Sequence, residues 1–167
     1  SLMGGQPSVE APTTVLVIGG TGRTGAHLVR RLCSDPATSV VVLARDTAKA
    51  AALQDTAWPA PVRVIEGDLG DVDSWASHLA GVDQVVTAVS CGVRTVADPL
   101  GVLGVTRPPA NMPQRIDGEG IARLCDAAAA HGVRRIVAVT TASTGPPWSP
   151  PAVCLNLIAA ASVKWEF

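Results

Sequence analysis

Tyrosine is absent from the 167 residues and phenylalanine occurs once. Single-stranded nucleic acid is held largely by stacking aromatics, so that class of partner is not expected. Charge is scarce as well: 16% of residues are Asp, Glu, Lys or Arg, 13 basic against 14 acidic, a formal net charge of -1. No basic face for nucleic acid is expected. The four cysteines, Cys33, Cys91, Cys125 and Cys154, are widely and irregularly spaced, with no C-x-x-C. That spacing argues against a metal site, and a chain of this size needs no disulfide staples. Free thiols in a reducing intracellular compartment are expected, with cytoplasm and organelle not distinguished. No apolar run reaches the length of a bilayer span; the longest candidate, Ala152 to Val163, is short and contains Asn156. The first residues, SLMGGQPSVEAPTT, show neither the basic nor the apolar region of a secretory signal.

Hydrophobic residues are plentiful, at 47%, enough for the core of one domain. Residues 1–12 read as a flexible N-terminal segment and residues 13–167 as one domain. Val15-Leu16-Val17-Ile18 is continuous rather than alternating apolar sequence, which suits a strand buried on both faces of a parallel sheet. Further strands are predicted at Ser39–Ala44, Val62–Glu66, Gln84–Val89 and Arg135–Thr140. Between them, helices are predicted after the first glycine cluster, from Thr47 to Leu53, from Asp71 to a stop at Gly81, and from Asp117 or Gly118 to about His131. Ala152 to Phe167 reads as a last helix. This alternation is the signature of βαβ units with right-handed crossovers. The fold class expected is α/β, a Rossmann-like doubly wound parallel sheet in the order 3-2-1-4-5. Residues 91–114, rich in Gly and Pro, break the rhythm and read as a long loop at the end of strand four, either functional or a plain insertion.

The cluster Gly19-Gly20-Thr21-Gly22-Arg23-Thr24-Gly25 lies between the first strand and an amphipathic helix. Free N–H groups and a partial positive charge at a helix N-terminus suit a pyrophosphate, and glycines let the backbone approach it. The alternative is a tight strand–helix turn without a ligand. An acid at the end of strand two would favour the ribose 2′-OH of NAD(H), but Arg45 stands there, and Arg23 lies in the glycine loop. Two guanidinium groups from separate segments favour the 2′-phosphate of NADP(H) over NAD(H). Asp46, next in line, reads as the cap of the following helix.

These residues, GGTGRTG after VLVI with VIEGDL closing strand three, resemble the atypical short-chain dehydrogenase/reductases, including NmrA-like NAD(P)-binding proteins. The segments from Asp117 to Ala128 and from His131 to Val137 also resemble that family's fourth helix and fifth strand. The resemblance implies that Asp68 meets the adenine edge and Leu69 flanks the ring. It places Ala88, Val89 and Ser90 along the ribose nearer the nicotinamide, and Thr140 and Thr141 where the family often has a serine pair.

Catalysis in the family usually rests on a Tyr-x-x-x-Lys pair, with the lysine lowering the phenol pKa. Lys164 stands on the expected helix, but Ala160 occupies the tyrosine position and no tyrosine replaces it. Lys164 can still bind ribose hydroxyls, with Thr141 and Ser143 as candidate proton donors; Cys91 and His131 are weaker ones. The family also continues past this helix with another strand and a substrate region, so the C-terminal part of the fold reads as truncated, supplied elsewhere, or lacking. Two functions remain open. One is an NADPH-dependent oxidoreductase acting on a small carbonyl or enone compound. The other is a non-catalytic NADP(H)-holding sensor, assembly factor or structural subunit, with an oligomer or larger complex as its setting.

Overall fold

The computed structural model describes residues 12–59, 61–89 and 114–139. Five strands form one parallel sheet: β1 Thr13–Ile18, β2 Thr38–Ala44, β3 Arg63–Glu66, β4 Gln84–Thr87 and β5 Arg135–Ala138. Their order is β3-β2-β1-β4-β5, the arrangement predicted from the sequence. Helix α1, Arg23–Cys33, joins β1 to β2, and α2, Thr47–Thr56, joins β2 to β3. A helical stretch that ends as α3, Ile121–Ala130, precedes β5.

Alternate residues of the inner strands point to opposite faces, and each face has its own core. Leu16, Ile18, Val41, Leu43, Ile65 and Val85 pack with Trp75, Leu79, Ile116 and Leu124 on one side. Val15, Val17, Val40, Val42 and Val86 pack with Val29, Ala50 and Trp58 on the other. Burial on both sides explains why β1 from Val15 to Ile18 and β2 from Val40 to Ala44 are uninterrupted apolar sequence.

The strands' carboxyl ends are level. Ile18 stands opposite Leu43 on one side and Thr87 on the other, while Ala44 stands opposite Glu66. The chain therefore leaves β1, β2, β3 and β4 along one line, at Gly19, Arg45, Gly67 and Ala88. The sheet's order reverses between β1 and β4, where open α/β sheets form a crevice.

Several boundaries differ from the expectation. The segment predicted as a helix from Asp71 is two 3₁₀ turns, Leu69–Ser74 and Ala76–Leu79. Asp71 itself is non-helical, at φ -141 and ψ 66. The sequence Leu-Gly-Asp-Val-Asp-Ser is rich in residues that bond their own backbone rather than continue a helix. The Asp68 carboxylate accepts from the Gly70 N–H at 2.8 Å, and the Ser74 hydroxyl donates to the Asp71 carbonyl at 2.8 Å. The predicted start of the long helix at Asp117 or Gly118 is too late. A wide π-type turn, Gln114–Gly120, runs straight into α3. Gly120 has a packing reason there, since a Cβ would lie 2.6 Å from the Leu69 carbonyl oxygen. Helix α2 continues past Leu53 to Thr56, with Asp46 capping it by accepting from the Lys49 N–H at 2.9 Å. β3 begins at Arg63, and β4 ends at Thr87, so Ala88 and Val89 lie just beyond the strand.

Candidate functional site

The glycine cluster is shaped by three close approaches. Gly19 has φ +85, and a Cβ on it would stand 2.8 Å from the Ala88 carbonyl oxygen. It needs glycine for both its backbone conformation and its neighbour. The Gly22 N–H donates to the Gly19 carbonyl at 2.9 Å, closing the turn, and the Ala26 N–H donates to the Gly22 carbonyl at 2.8 Å, opening the helix. A Cβ on Gly25 would overlap the Gly19 carbonyl oxygen. The first turn of α1 is thereby pressed against the end of β1.

That helix end is open. Its N-cap is Gly22, no side chain caps it, and its first turn carries no acid, while Arg30 and Arg31 occupy its last turn. Leading backbone N–H groups and the positive end of the helix dipole face outward together, an arrangement that suits an anion.

The cleft above this turn measures about 360 Å³. Of the residues singled out from the sequence, Gly19, Thr21, Gly22, Arg23, Thr24, Arg45, Asp68, Leu69, Ala88 and Val89 line it. Gly20 and Gly25 lie behind its wall; a Cβ on Gly20 would meet Val42 Cγ1 at 2.9 Å. Ser90, Cys91, Thr140, Thr141, Ser143 and Lys164 lie outside the described residues, as does the 91–114 loop except Gln114. His131 does not line the cleft. It ends α3, its Nδ1 lies 2.8 Å from the Ala127 carbonyl oxygen, and it serves as the polar helix terminus.

Arg45 and Asp68 face one another across the ends of β2 and β3. Arg45 Nη1 lies 3.8 Å from Asp68 Oδ2, with the two side chains 68% and 43% exposed. Asp68 is anchored from below. Its carbonyl oxygen accepts from Trp75 Nε1 at 2.9 Å, and Trp75 is 1% exposed within the core. Gly67 makes room for that indole, for a Cβ there would lie 2.7 Å from Trp75 Cδ1.

Sequence reasoning missed Lys49, Gly67 and Ile116 as cleft residues. Lys49 was findable, because it lies three residues after the capping Asp46, on the helix turn that follows Arg45 at the crevice. Ile116 was not, since it reaches the site from a turn about fifty residues further along the chain than Leu69.

A family model described as NAD(P)H-binding matches residues 19–162, most of the chain. Polyketide synthase GfsA of Streptomyces halstedii is 38% identical over 95 residues, which is 56% of this chain and 1% of that protein. Three solved structures are similar in fold. Pen from Bacillus thuringiensis aligns with a TM-score of 0.66 at 20% identity, covering 89% of this chain and 43% of that one. The oxidoreductase ylbE from Lactococcus lactis gives 0.61 at 18%, covering 89% and 59%. A UDP-glucuronic acid 4-epimerase from Bacillus cereus, solved with NAD, gives 0.59 at 19%, covering 88% and 50%. At these identities the likeness establishes the fold. The chain spans only part of each of these proteins. Among the described residues, no helix is long and apolar enough to cross a membrane.

Proposed function

Since this chain belongs to the NAD(P)H-binding family, we propose that its cleft holds the adenosine and pyrophosphate portion of a dinucleotide and prefers NADP(H) to NAD(H). The site fits the group. The uncapped start of α1 offers N–H donors to the pyrophosphate, Gly19 and Gly22 line the cleft without side chains, and Gly25 lets the helix pack against the turn. Leu69 and Ile116 offer apolar surface to the adenine, and Asp68 offers an acceptor for its amino edge. The preference rests on one observation: among the described residues, Arg23, Arg45 and Lys49 line the cleft against one acid, Asp68. Cations there favour a 2′-phosphate over a hydroxyl.

When bound, the cofactor would supply hydride chemistry at its nicotinamide, and Ala88 and Val89, which line the cleft after β4, are the residues that would flank the ribose on that side. Holding the nucleotide is the primary reading, because the sequence offers no tyrosine to donate a proton. A second reading is NADPH-dependent reduction of a small carbonyl compound, with Lys164, Thr141 and Ser143 as candidate participants.

The test is a titration with NADPH and NADH, followed by nucleotide fluorescence, on the wild type and Arg45→Ala. NADPH is expected to bind more tightly, and the substitution to weaken NADPH selectively. Equal affinities, or an equal loss for both nucleotides, would remove the preference. Absence of binding by folded protein would remove the assigned use of the cleft. Consumption of NADPH with a panel of ketones then separates the two readings.

A further inference from the structure

The cation that would choose between the two cofactors already has an anion beside it. Arg45 Nη1 lies 3.8 Å from Asp68 Oδ2, and both groups line the cleft. The two partners are not equally free. Asp68 is held by three hydrogen bonds: Oδ1 accepts from the Gly70 N–H, and its carbonyl oxygen accepts from both the Trp75 indole and the Asp71 N–H. Arg45 sits at the end of β2 on a long stem, with its side chain 68% exposed. An anchored carboxylate and an exposed guanidinium make a pair in which the arginine is the less constrained partner.

We propose that Asp68 is a specificity-determining residue that competes with the cofactor's 2′-phosphate for Arg45. It holds the preference for NADP(H) over NAD(H) below the level that Arg23, Arg45 and Lys49 would otherwise give. This deepens the assignment of the cleft to a dinucleotide and rests on it. With a 2′-hydroxyl in place, Arg45 keeps its carboxylate partner. With a 2′-phosphate, a doubly charged group with three acceptor oxygens draws the guanidinium away from its carboxylate partner. Lys49 differs from Arg45 in having no ion-pair partner among the described residues, so its contribution is not subject to this competition.

The magnitude follows from exposure. Ion pairs as open as this one contribute from nothing to about 1 kcal/mol, which corresponds to a factor of up to about five in affinity. Asp68 therefore tunes the choice and does not reverse it.

Asp68→Asn is the informative change, because the amide keeps an oxygen for the Gly70 N–H while removing the charge. Dissociation constants for NADPH and NADH are measured on the full chain for the wild type, Asp68→Asn, Arg45→Ala and the double variant. Any contact of residue 68 with adenine is common to both nucleotides, so the ratio of the two constants isolates the 2′ position. Asp68→Asn is expected to raise the ratio in favour of NADPH about two- to fivefold. In the Arg45→Ala background the same substitution is expected to change the ratio much less. An unchanged or lowered ratio in Asp68→Asn overturns the proposal, and so does an equal rise with and without Arg45. If Asp68→Asn does not fold, Asp68→Ser supplies an uncharged acceptor for Gly70 and is read the same way. Failure of the wild type to bind either nucleotide is a different result, which removes the cofactor assignment and this proposal with it.

Discussion

Trp75 donates its indole N–H to the carbonyl oxygen of Asp68 at 2.9 Å, so a cleft residue is tied directly to the centre of the main core. The other described tryptophan behaves differently. Trp58 is 6% exposed on the opposite face of the sheet, and its buried Nε1 has no hydrogen-bond partner among the described residues.

The contrast sets an order for two equivalent substitutions. Trp75→Phe loses indole volume and strands a carbonyl, whereas Trp58→Phe loses volume but also removes an unsatisfied donor. Trp75→Phe is expected to be the more destabilising by about 1 kcal/mol or more. Urea denaturation of both variants checks it; equal midpoints would mean that the Trp75 bond contributes nothing net.

Glycines 25 and 118 make a second pair. A Cβ on Gly25 would overlap the Gly19 carbonyl oxygen, while one on Gly118 would meet nothing within 4 Å. Gly25→Ala is expected to weaken nucleotide binding at least about tenfold and to lower stability by about 1–3 kcal/mol through overpacking. Gly118→Ala is expected to leave binding intact and to be neutral or stabilising by up to about 1 kcal/mol, since alanine favours a helical conformation. Titration and thermal melts of the two variants side by side test both halves.

Acid sensitivity should trace to Asp83. The Thr14 backbone N–H, donating to Oδ2 at 2.8 Å, and then Arg134, donating to Oδ1 at 2.7 Å, hold its carboxyl below the usual carboxylate range. A lowered folded-state pKa gives stability that is full above the unfolded value, about 3.9, and is lost as pH falls through the folded one. Asp83→Asn is expected to be less stable than the wild type at neutral pH, with the gap closing below about pH 4. Urea midpoints across that range supply the comparison, and a gap independent of pH would contradict it.

Thiol chemistry should discriminate between two cysteines. Partial burial at the end of α1 pushes the Cys33 thiol up from its ordinary value, whereas Cys125 is exposed on α3. The thiolate is the reacting form, so iodoacetamide at neutral pH is expected to label Cys125 well before Cys33. Peptide mapping over time reads the order, and simultaneous labelling would show that burial does not protect Cys33.

The strand order and the glycine turn were legible because their signals are local. Val15 to Ile18 is continuously apolar, and the glycines follow at once. The segment from Leu69 to Leu79 misled because Val72, Trp75 and Leu79 carry a helical period. Side-chain bonding by Asp68 and Ser74 breaks the backbone into 3₁₀ turns while all three residues stay buried. Ion pairing between Arg45 and Asp68 was hidden for another reason, since they are far apart in the sequence and meet through strand register. Once β2 and β3 are paired with Ala44 opposite Glu66, the residues leaving those strands must be neighbours.

Far from the cleft, Asp83 joins three strands by itself. Its N–H donates to the Thr14 carbonyl, its carboxylate accepts from Thr14 and Arg134, and its carbonyl accepts from the Arg134 N–H. β1, β4 and β5 thus carry their own fastening where they begin, at the end of the sheet away from the crevice. Ligand selectivity and foldability are separable in this architecture. On the proposed assignment, charge around Arg45, Lys49 and Asp68 bears on nucleotide preference, while β1, β4 and β5 are fastened at the other end of the sheet through Asp83.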